Sequence, residues 1–313
     1  MRVFVAGATG VLGSILVKKL VKHGHTVSGS SNTASKLQDL ERSGAAPVFM
    51  DGLDRRSVFE AVAAARPDVI VNEMTNLSNV RSYKNFDREF ETTNRLRCEG
   101  TAHLLAAGEA HHVKRIVVQS FAGWPSHNTG LRGNPEQAQF ETELPVKMNK
   151  SQEAIKLMEA MITSSHFPLG IVLRYGHLYG PRTSFARDGN IVSAVRTRSF
   201  PLIAQGAAAW SFVHVDDAAE ATRLAIENAP GGIYNIVDDK PALVSEWLPE
   251  LARILEAKPP FTLPIWLAKL LVGQSGLYLM NRACGADNSK ARKVLQWTPA
   301  FPDWRVGFRR TLM

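Results

Sequence analysis

Short apolar runs alternate with amphipathic segments through the first 175 residues of the chain. The apolar runs are rich in β-branched residues, which is typical of buried strands. The segments between them repeat apolar residues at helical spacing, as Leu12, Leu16 and Leu20 do. The pattern predicts strands at 3–6, 26–28, 47–50, 68–71, 115–119 and 170–173 and helices at 11–22, 36–43, 55–65, 86–111 and 149–164.

Asn149 is predicted to cap the last of these helices. After residue 175 the alternation becomes irregular, with strands predicted at 210–215 and 233–237 and helices at 245–256 and 264–271. The polar segment 131–144 is predicted to be a loop over the site.

The alternation of strands and helices predicts the α/β class, with a doubly wound parallel sheet of Rossmann type. We expect a dinucleotide-binding domain over residues 1–175, with later returns near 206–238. We expect residues 176–313 to form mainly a smaller C-terminal α+β region that binds the substrate.

The composition excludes several classes of protein. With 313 residues and 45% hydrophobic residues, the chain can bury a large core and is not typical of disordered proteins. Two isolated cysteines, Cys98 and Cys284, give neither a disulfide framework nor a zinc motif, and no histidine pair has metal-ligand spacing, so no metal is expected. The apolar stretch 261–280 is interrupted by Pro, Lys and Gly, and no signal peptide pattern opens the chain. We therefore expect a cytoplasmic protein without a membrane partner.

The net charge changes this picture only slightly. Lys and Arg number 37 and Asp and Glu number 29, which gives a formal charge of +8. The basic residues are scattered and form no long basic tract, so nucleic-acid binding is not expected. An anionic small molecule, such as a phosphate-rich cofactor, is the more economical partner.

A glycine-rich turn directly follows the first predicted strand. Its residues are Gly7-Ala8-Thr9-Gly10-Val11-Leu12-Gly13, followed at once by a helix. Gly7 allows the tight turn, Gly10 lets the backbone approach a pyrophosphate, and Gly13 lets the helix pack closely on the strand. The helix N-terminus adds free N–H groups and a positive dipole end. This context predicts a dinucleotide-binding site that includes Thr9, Val11 and Leu12.

The end of the second strand indicates which dinucleotide is bound. NAD-preferring sites usually place a carboxylate there, to hold the ribose hydroxyls. This chain has Ser31 and Asn32, then Lys36, and no carboxylate before Asp39. A 2′-phosphate would be tolerated or bound by these residues, so NADP is predicted, with NAD as the alternative.

Further motifs extend over nearly the whole chain and resemble those of the extended short-chain dehydrogenase/reductase family, the NAD-dependent epimerase/dehydratase group. Asn94 is similar to the asparagine of the family's Asn-x-x-Gly-Thr helix pattern, with a small insertion before Gly100-Thr101. The longest resemblances are the opening GATGVLG, the segment LRYGHLYGP at 173–181 and the segment FVHVDD at 212–217.

The resemblance implies a nicotinamide cofactor and a small oxygenated metabolite as substrate, such as a sugar nucleotide or a biosynthetic intermediate. It implies that Asp51, followed by Gly52, contacts adenine. It places Met74 and Thr75, after the fourth strand, near the nicotinamide. It also implies cofactor contacts from Tyr175 and His177 and a possible homodimer through helices around 95–110 and 150–163.

The family's catalytic pair is missing. Relatives use a Tyr as general acid/base and a Lys four residues later, whose ammonium lowers the pKa of the Tyr. None of the five tyrosines is followed by a Lys at that spacing. If Glu159 is aligned with the family's following Glu, the pair falls on Ser151 and Ile155. If Glu153 is aligned instead, it falls on Pro145 and Asn149.

Three hypotheses follow from this loss. The protein is an oxidoreductase or epimerase with a non-standard site, or a non-catalytic NADP-binding sensor, or a redox-neutral dehydratase or isomerase. For the first, the candidate proton donors are Ser120, Lys150, His177 and water. Glu73, at the end of the fourth strand, is either an acid/base or a polar residue facing solvent.

Overall fold

The computed structural model describes residues 1–80, 82–124, 133–164 and 169–313. Its strands are β1 Arg2–Ala6, β2 Thr26–Ser31, β3 Ala46–Phe49, β4 Val69–Asn72, β5 Arg115–Phe121, β6 Leu169–Tyr175, β7 His177–Tyr179, β8 Leu202–Ile203, β9 Ala209–Trp210, β10 Phe212–His214, β11 Gly232–Ile236, β12 Ala242–Leu243 and β13 Thr262–Leu263.

The helices lie between these strands. They are α1 Val11–Lys22, α2 Leu37–Arg42, α3 Arg55–Ala65, α4 Phe86–Glu89, α5 Glu91–Arg95, α6 Thr101–Ala110, α7 Asn149–Ser164, α8 Asn190–Arg196, α9 Val215–Asn228, α10 Val244–Ile254, α11 Ile265–Leu271, α12 Gly273–Asn281, α13 Ser289–Leu295 and α14 Trp304–Leu312.

Seven strands form one parallel sheet in the order β11-β6-β5-β4-β1-β2-β3. This confirms the predicted doubly wound α/β fold. The order reverses between β1 and β4, and in open parallel sheets ligands bind beyond the carboxyl ends of the strands at such a point. The predicted return of the chain to this sheet corresponds to β11, which pairs with β6 at the sheet edge. The boundary at residue 175 remains a prediction.

Apolar residues cover both faces of the sheet. On one face, α1 and α9 pack over residues such as Val5, Val71 and Leu173. On the other, α3, α6 and α7 pack over Phe4, Ile70 and related residues. A separate core in the C-terminal part is built around Trp247, Trp304 and other aromatic side chains. The sheet is thus buried on both faces, as its nearly continuous apolar strands require.

Three predicted elements differ in the structure. The helix predicted at 86–111 is divided into α4, α5, a π-helical turn at Leu96–Gly100, and α6. The strand predicted at 210–215 is divided into β9, which pairs with β12, and β10, which pairs with β7. β10 ends at His214, because α9 begins at Val215 with the His214 side chain accepting the N–H of Asp216. Of the predicted loop, residues 131 and 132 lie outside the described residues, and the rest forms turns and a bridge between Asn134 and Ala286.

The prediction that Asn149 caps α7 was wrong. Asn149 has helical backbone angles and is already the first residue of the helix. The cap comes from α4 instead, because the carboxylate of Asp87 accepts the backbone N–H groups of Lys150 and Ser151 at 3.1 and 2.9 Å. No helix within the described ranges is long and apolar enough to cross a membrane.

Candidate active site

The glycine-rich turn has the close contacts expected of a phosphate-binding loop. Gly7 has a φ of +81°, and a Cβ there would lie 2.8 Å from the carbonyl of Glu73. A Cβ on Gly13 would lie 2.3 Å from the Gly7 oxygen, so only glycine lets α1 start this close to β1. Gly10 is exposed at the N-terminus of α1, with no side chain capping it. The free N–H groups and the open backbone fit a pyrophosphate.

The end of β2 lies beside this loop. The Thr9 hydroxyl donates to the Ser31 hydroxyl at 3.1 Å, and Ser31 also accepts the Thr33 N–H. Asn32 and Lys36 are exposed at the same edge.

A cavity of about 360 Å³ opens next to Thr9 and is lined by more cations than anions. Its charged lining residues are Lys18, Lys36, Arg42, Arg182 and Asp39. Arg182 comes from the loop after β7, and its guanidinium donates to the Ser14 hydroxyl at 2.7 Å and to the Thr9 carbonyl at 3.2 Å. The sequence analysis missed Arg182, because its partners lie far away in the chain.

The residues predicted to contact the adenosine and the nicotinamide follow β3 and β4, and two of them pack against each other. Gly52 is buried, and a Cβ there would lie 2.5 Å from the Met74 sulfur. Asp51 is exposed, with its carboxylate accepting the Leu53 N–H at 2.9 Å. The backbone N–H of Met74 donates to the side-chain oxygen of Asn72 at 3.1 Å. Thr75 follows Met74 and is partly exposed.

The hydroxyl of Ser120 forms a hydrogen bond with a buried ion pair. It donates to Glu159 at 2.7 Å, and the same carboxylate accepts two N–H groups of Arg174 at 2.8 and 2.6 Å. All three side chains are buried. A bidentate pair of this kind holds α7 against the ends of β5 and β6. Ser120 thus has a positioning contact, which the sequence did not reveal.

In the alignment that uses Glu159, the positions of the missing catalytic pair are occupied by residues with other contacts. Ser151 and Ile155 are both fully buried on α7. The Ser151 hydroxyl donates to Asp87 at 2.6 Å and accepts the Asn94 side-chain N–H at 2.8 Å. Ile155 packs in an apolar cluster with Trp124 and other aromatic residues. Lys150 is exposed on the first turn of α7, and among the described contacts its side chain makes none with Ser120.

His177 lies in an aromatic cluster beside Ser120. Its ring stacks on Trp210 with centroids 3.9 Å apart and meets the edge of Phe121 at 5.0 Å. Burial lowers the pKa of His177 to about 3, so the imidazole is neutral at physiological pH. His177 therefore does not act as a cationic acid, and it contributes a flat, uncharged surface.

The structure places Tyr175 and Glu73 in the core. The Tyr175 hydroxyl is 3.1 Å from a Glu73 oxygen and 2.7 Å from the Thr222 hydroxyl, and all three residues are buried. The resemblance placed Tyr175 against the cofactor, but its hydroxyl is turned into the sheet–helix interface instead. Glu73 does not face solvent either, and burial raises its pKa to about 8. Within the described residues, no cluster of side chains could hold a metal ion.

Comparisons with known proteins agree with this geometry. The profile of the NAD dependent epimerase/dehydratase family matches residues 3–237. A 3-diazoavenalumate denitrifying reductase from Streptomyces is 42% identical over 313 residues, covering 99% of this chain and 100% of that protein.

Two solved structures are similar over the whole chain. The UDP-glucose 4-epimerase of Thermotoga maritima with UDP-glucose has a TM-score of 0.79 at 23% identity, and it covers 100% of this chain and 97% of its own. That of Thermus thermophilus with NAD has a TM-score of 0.76 at 22% identity, with 100% and 98% covered. The chain therefore belongs to the NAD-dependent epimerase/dehydratase family of extended short-chain dehydrogenases/reductases, and it is a nicotinamide-dependent enzyme of the oxidoreductase/epimerase type.

Proposed function

We propose that this enzyme is a reductase that replaces the diazo group of an aromatic carboxylate with hydrogen and releases dinitrogen. The observation that carries the proposal is an intact dinucleotide loop in a chain that lacks the Tyr-x-x-x-Lys pair. The full-length similarity to a denitrifying reductase for 3-diazoavenalumate supports the same reaction.

The chemistry explains why the pair is dispensable. When a carbonyl is reduced, negative charge develops on its oxygen, and a general acid must deliver a proton. The carbon of a diazonium group is already electron-poor, and it carries dinitrogen, which is a very good leaving group. On the substrate a C–H bond replaces the C–N bond, whose electron pair leaves with dinitrogen. The carbon gains a hydride, and no proton is consumed.

The reduced nicotinamide cofactor supplies that hydride when it is bound. The protein then has to hold a flat substrate in line with it and exclude water. Phe121 and His177, both partly exposed, form an aromatic cluster with the buried Trp210 beside the end of β5. Because His177 is neutral, it adds no repulsion toward a cationic diazonium group. Aromatic rings prefer such offset or edge contacts with other rings.

The reaction can be tested with 3-diazoavenalumate. We expect one NADPH to be oxidised per dinitrogen released, well above the rate in the same mixture without enzyme. Deuteride from 4-deuterated NADPH should appear on the carbon that lost nitrogen. Epimerisation of UDP-glucose, together with no reaction of the diazo compound, would contradict the proposal.

We also infer that NADPH is the preferred cofactor. Lys36 and Arg182 line the cavity next to Thr9 and Ser31, and the end of β2 carries no carboxylate that would repel a 2′-phosphate. Fluorescence titration should show NADPH binding at least tenfold more tightly than NADH. Lys36→Glu should weaken NADPH binding about tenfold or more and leave NADH almost unchanged, because only NADPH carries the extra phosphate.

Lys22→Glu is the matched control, since Lys22 is an exposed lysine at the far end of α1. Equal affinity of the wild type for the two cofactors would refute the preference for NADPH. The homodimer suggested by the resemblance stays a prediction.

A further inference from the structure

We propose that Arg97 binds the carboxylate of the substrate. This rests on the proposed function for the identity of the substrate, but the cationic subsite is argued from the structure alone. It is formed by Arg97 on the π-helical turn Leu96–Gly100, beside the buried Ser151 of α7.

The neighbours of Arg97 place it at the carboxyl edge of the sheet. The Thr101 hydroxyl accepts the Asn72 side-chain N–H at 3.1 Å, at the end of β4. The Thr93 hydroxyl accepts the backbone N–H of Asn76 at 3.1 Å, in the loop that follows β4. Arg97 lies on the same turn as Leu96 and Gly100, and a Cβ on Gly100 would lie 3.3 Å from the Met74 side chain, so this turn packs against the segment that carries Met74 and Thr75. This is the cleft in which a substrate must meet the nicotinamide.

A chain of hydrogen bonds orients the guanidinium. Arg97 Nη1 donates to Asn94 Oδ1 at 3.2 Å, and Asn94 Nδ2 donates to the Ser151 hydroxyl at 2.8 Å. Ser151 in turn donates to Asp87 at 2.6 Å. Ser151, which takes the position of the missing Tyr in the alignment that uses Glu159, therefore orients Arg97 through Asn94. π-turns are often found at functional sites, where they turn a side chain away from the regular helical position.

The electrostatic surroundings of Arg97 favour the binding of an anion. Within the described residues, the side chain of Arg97 hydrogen-bonds to the neutral amide of Asn94 and forms no ion pair. Burial lowers its pKa to about 10, so it is still a cation at neutral pH. Cys98 and then Glu159 oppose this lowering of the pKa, but both oxygens of Glu159 already accept hydrogen bonds from Arg174. A desolvated cation is costly unless it is paired.

The anion that Arg97 would bind is a group of the substrate, because the phosphates of the cofactor are expected at a different site. The loop at Gly7–Gly13, where Arg182 donates to Thr9 and Ser14, would hold the phosphates of the cofactor. Arg97 instead lies, through Asn94, beside Ser151 of α7, on the side where we place the substrate. A guanidinium fork matches a carboxylate in two parallel hydrogen bonds. An acid anchored here would leave its aromatic ring free to lie on the Phe121–His177–Trp210 cluster.

Two ligands and three variants test the subsite. The first readout is calorimetric binding of avenalumate, which has no diazo group, and of its methyl ester to the enzyme loaded with NADP. The wild type should bind the acid at least tenfold more tightly than the ester. Arg97→Gln should lose that preference through a 10- to 100-fold weaker affinity for the acid, which is the usual size of a charged hydrogen bond.

Arg97→Lys should restore only part of the affinity, because an ammonium cannot form the bidentate pair. Arg95→Gln is the matched control. Arg95 is exposed on the preceding turn and pairs with Glu99, so its loss should leave both affinities within twofold. NADPH affinity should also stay within twofold in all variants, which separates substrate binding from cofactor binding and from a folding defect.

The second readout is turnover of 3-diazoavenalumate, in which Arg97→Gln should raise KM much more than it lowers kcat. If the wild type binds the acid through Arg97 but does not reduce the diazo compound, the subsite stands and the proposed function falls. If the wild type shows no preference for the acid over the ester, or binds neither, the subsite is overturned. An unchanged acid affinity in Arg97→Gln overturns it as well.

Discussion

At the scale of single residues, the least ordinary group is the carboxyl of Glu73. One of its oxygens contacts the Tyr175 hydroxyl, and the other is buried without a partner within the described residues. Burial is the main cause that raises its pKa from about 4.5 to about 8. The group is therefore protonated at neutral pH. It behaves as a neutral hydrogen-bonding side chain within an apolar interface.

This raised pKa makes stability depend on pH. Folded Glu73 keeps its proton up to about pH 8, whereas the unfolded chain releases it near pH 4.5. Between these values the folded state binds more protons, so this group makes the free energy of unfolding fall as the pH rises. The slope is at most about 1.4 kcal/mol per pH unit.

Glu73→Gln has no proton to lose and should lack this slope. Urea denaturation at pH 5, 6, 7 and 8 should therefore show the wild type losing stability relative to Glu73→Gln as the pH rises. Glu41→Gln, at an exposed position, is the control and should follow the wild type. Parallel pH curves for the wild type and Glu73→Gln would show that Glu73 is already ionised in the folded state.

Residues whose role is local could be predicted from the sequence, and residues that reach across the fold could not. The glycines at 7, 10 and 13 were identified because their role is set by a strand, a turn and a helix adjacent in the chain. Arg182 approaches the same loop from a segment about 170 residues later, which no spacing rule reveals. The role proposed for Arg97 could not be recognised from the sequence, because it depends on a hydrogen-bonded link through Asn94 to Ser151, which lies on another helix.

At the scale of elements, the alternation of apolar strands and amphipathic helices predicted every strand of the main sheet. Central strands such as β1, β4 and β5 are buried on both faces, which leaves a short continuous apolar run in each of them. The same periodicity predicted one helix at 86–111. It has no signal for the π-turn at Leu96–Gly100, because widening a helical turn is decided by packing against Gly52, Met74 and α7.

The start of α7 shows how a neighbouring element replaces a local signal. Asn149 is a good capping residue by type, yet the helix begins one residue earlier than a cap would allow. Asp87, from α4, supplies the acceptor instead and also bonds the Ser151 hydroxyl. The Asp87 carboxylate thus fixes the N-terminus of α7 and is also the first link of the hydrogen-bond chain that leads to Arg97. The same side chain therefore starts the helix and orients the proposed subsite.

At the scale of the whole molecule, the C-terminal half is built from short elements whose partners are distant in the chain. The short strands β8, β9, β12 and β13 pair with partners distant in the chain, and their sequences are too brief to show a period. That is why the C-terminal half was predicted only in outline. The closing segment of the chain is tied back to α9, at the junction between the sheet and this second core.

Asp217 is the residue that makes this tie. Its carboxylate accepts the backbone N–H groups of Ala300 and Phe301 at 2.8 and 2.9 Å, just before α14 enters the core around Trp304. Asp217→Ala removes two partly buried hydrogen bonds to a carboxylate, a type of bond that is worth about 1.5–3 kcal/mol. We expect the free energy of unfolding to fall by about 2–4 kcal/mol, with faster amide exchange in α14. Asp216→Ala, whose carboxylate is exposed, should change neither, and equal stability of the two variants would refute the tie.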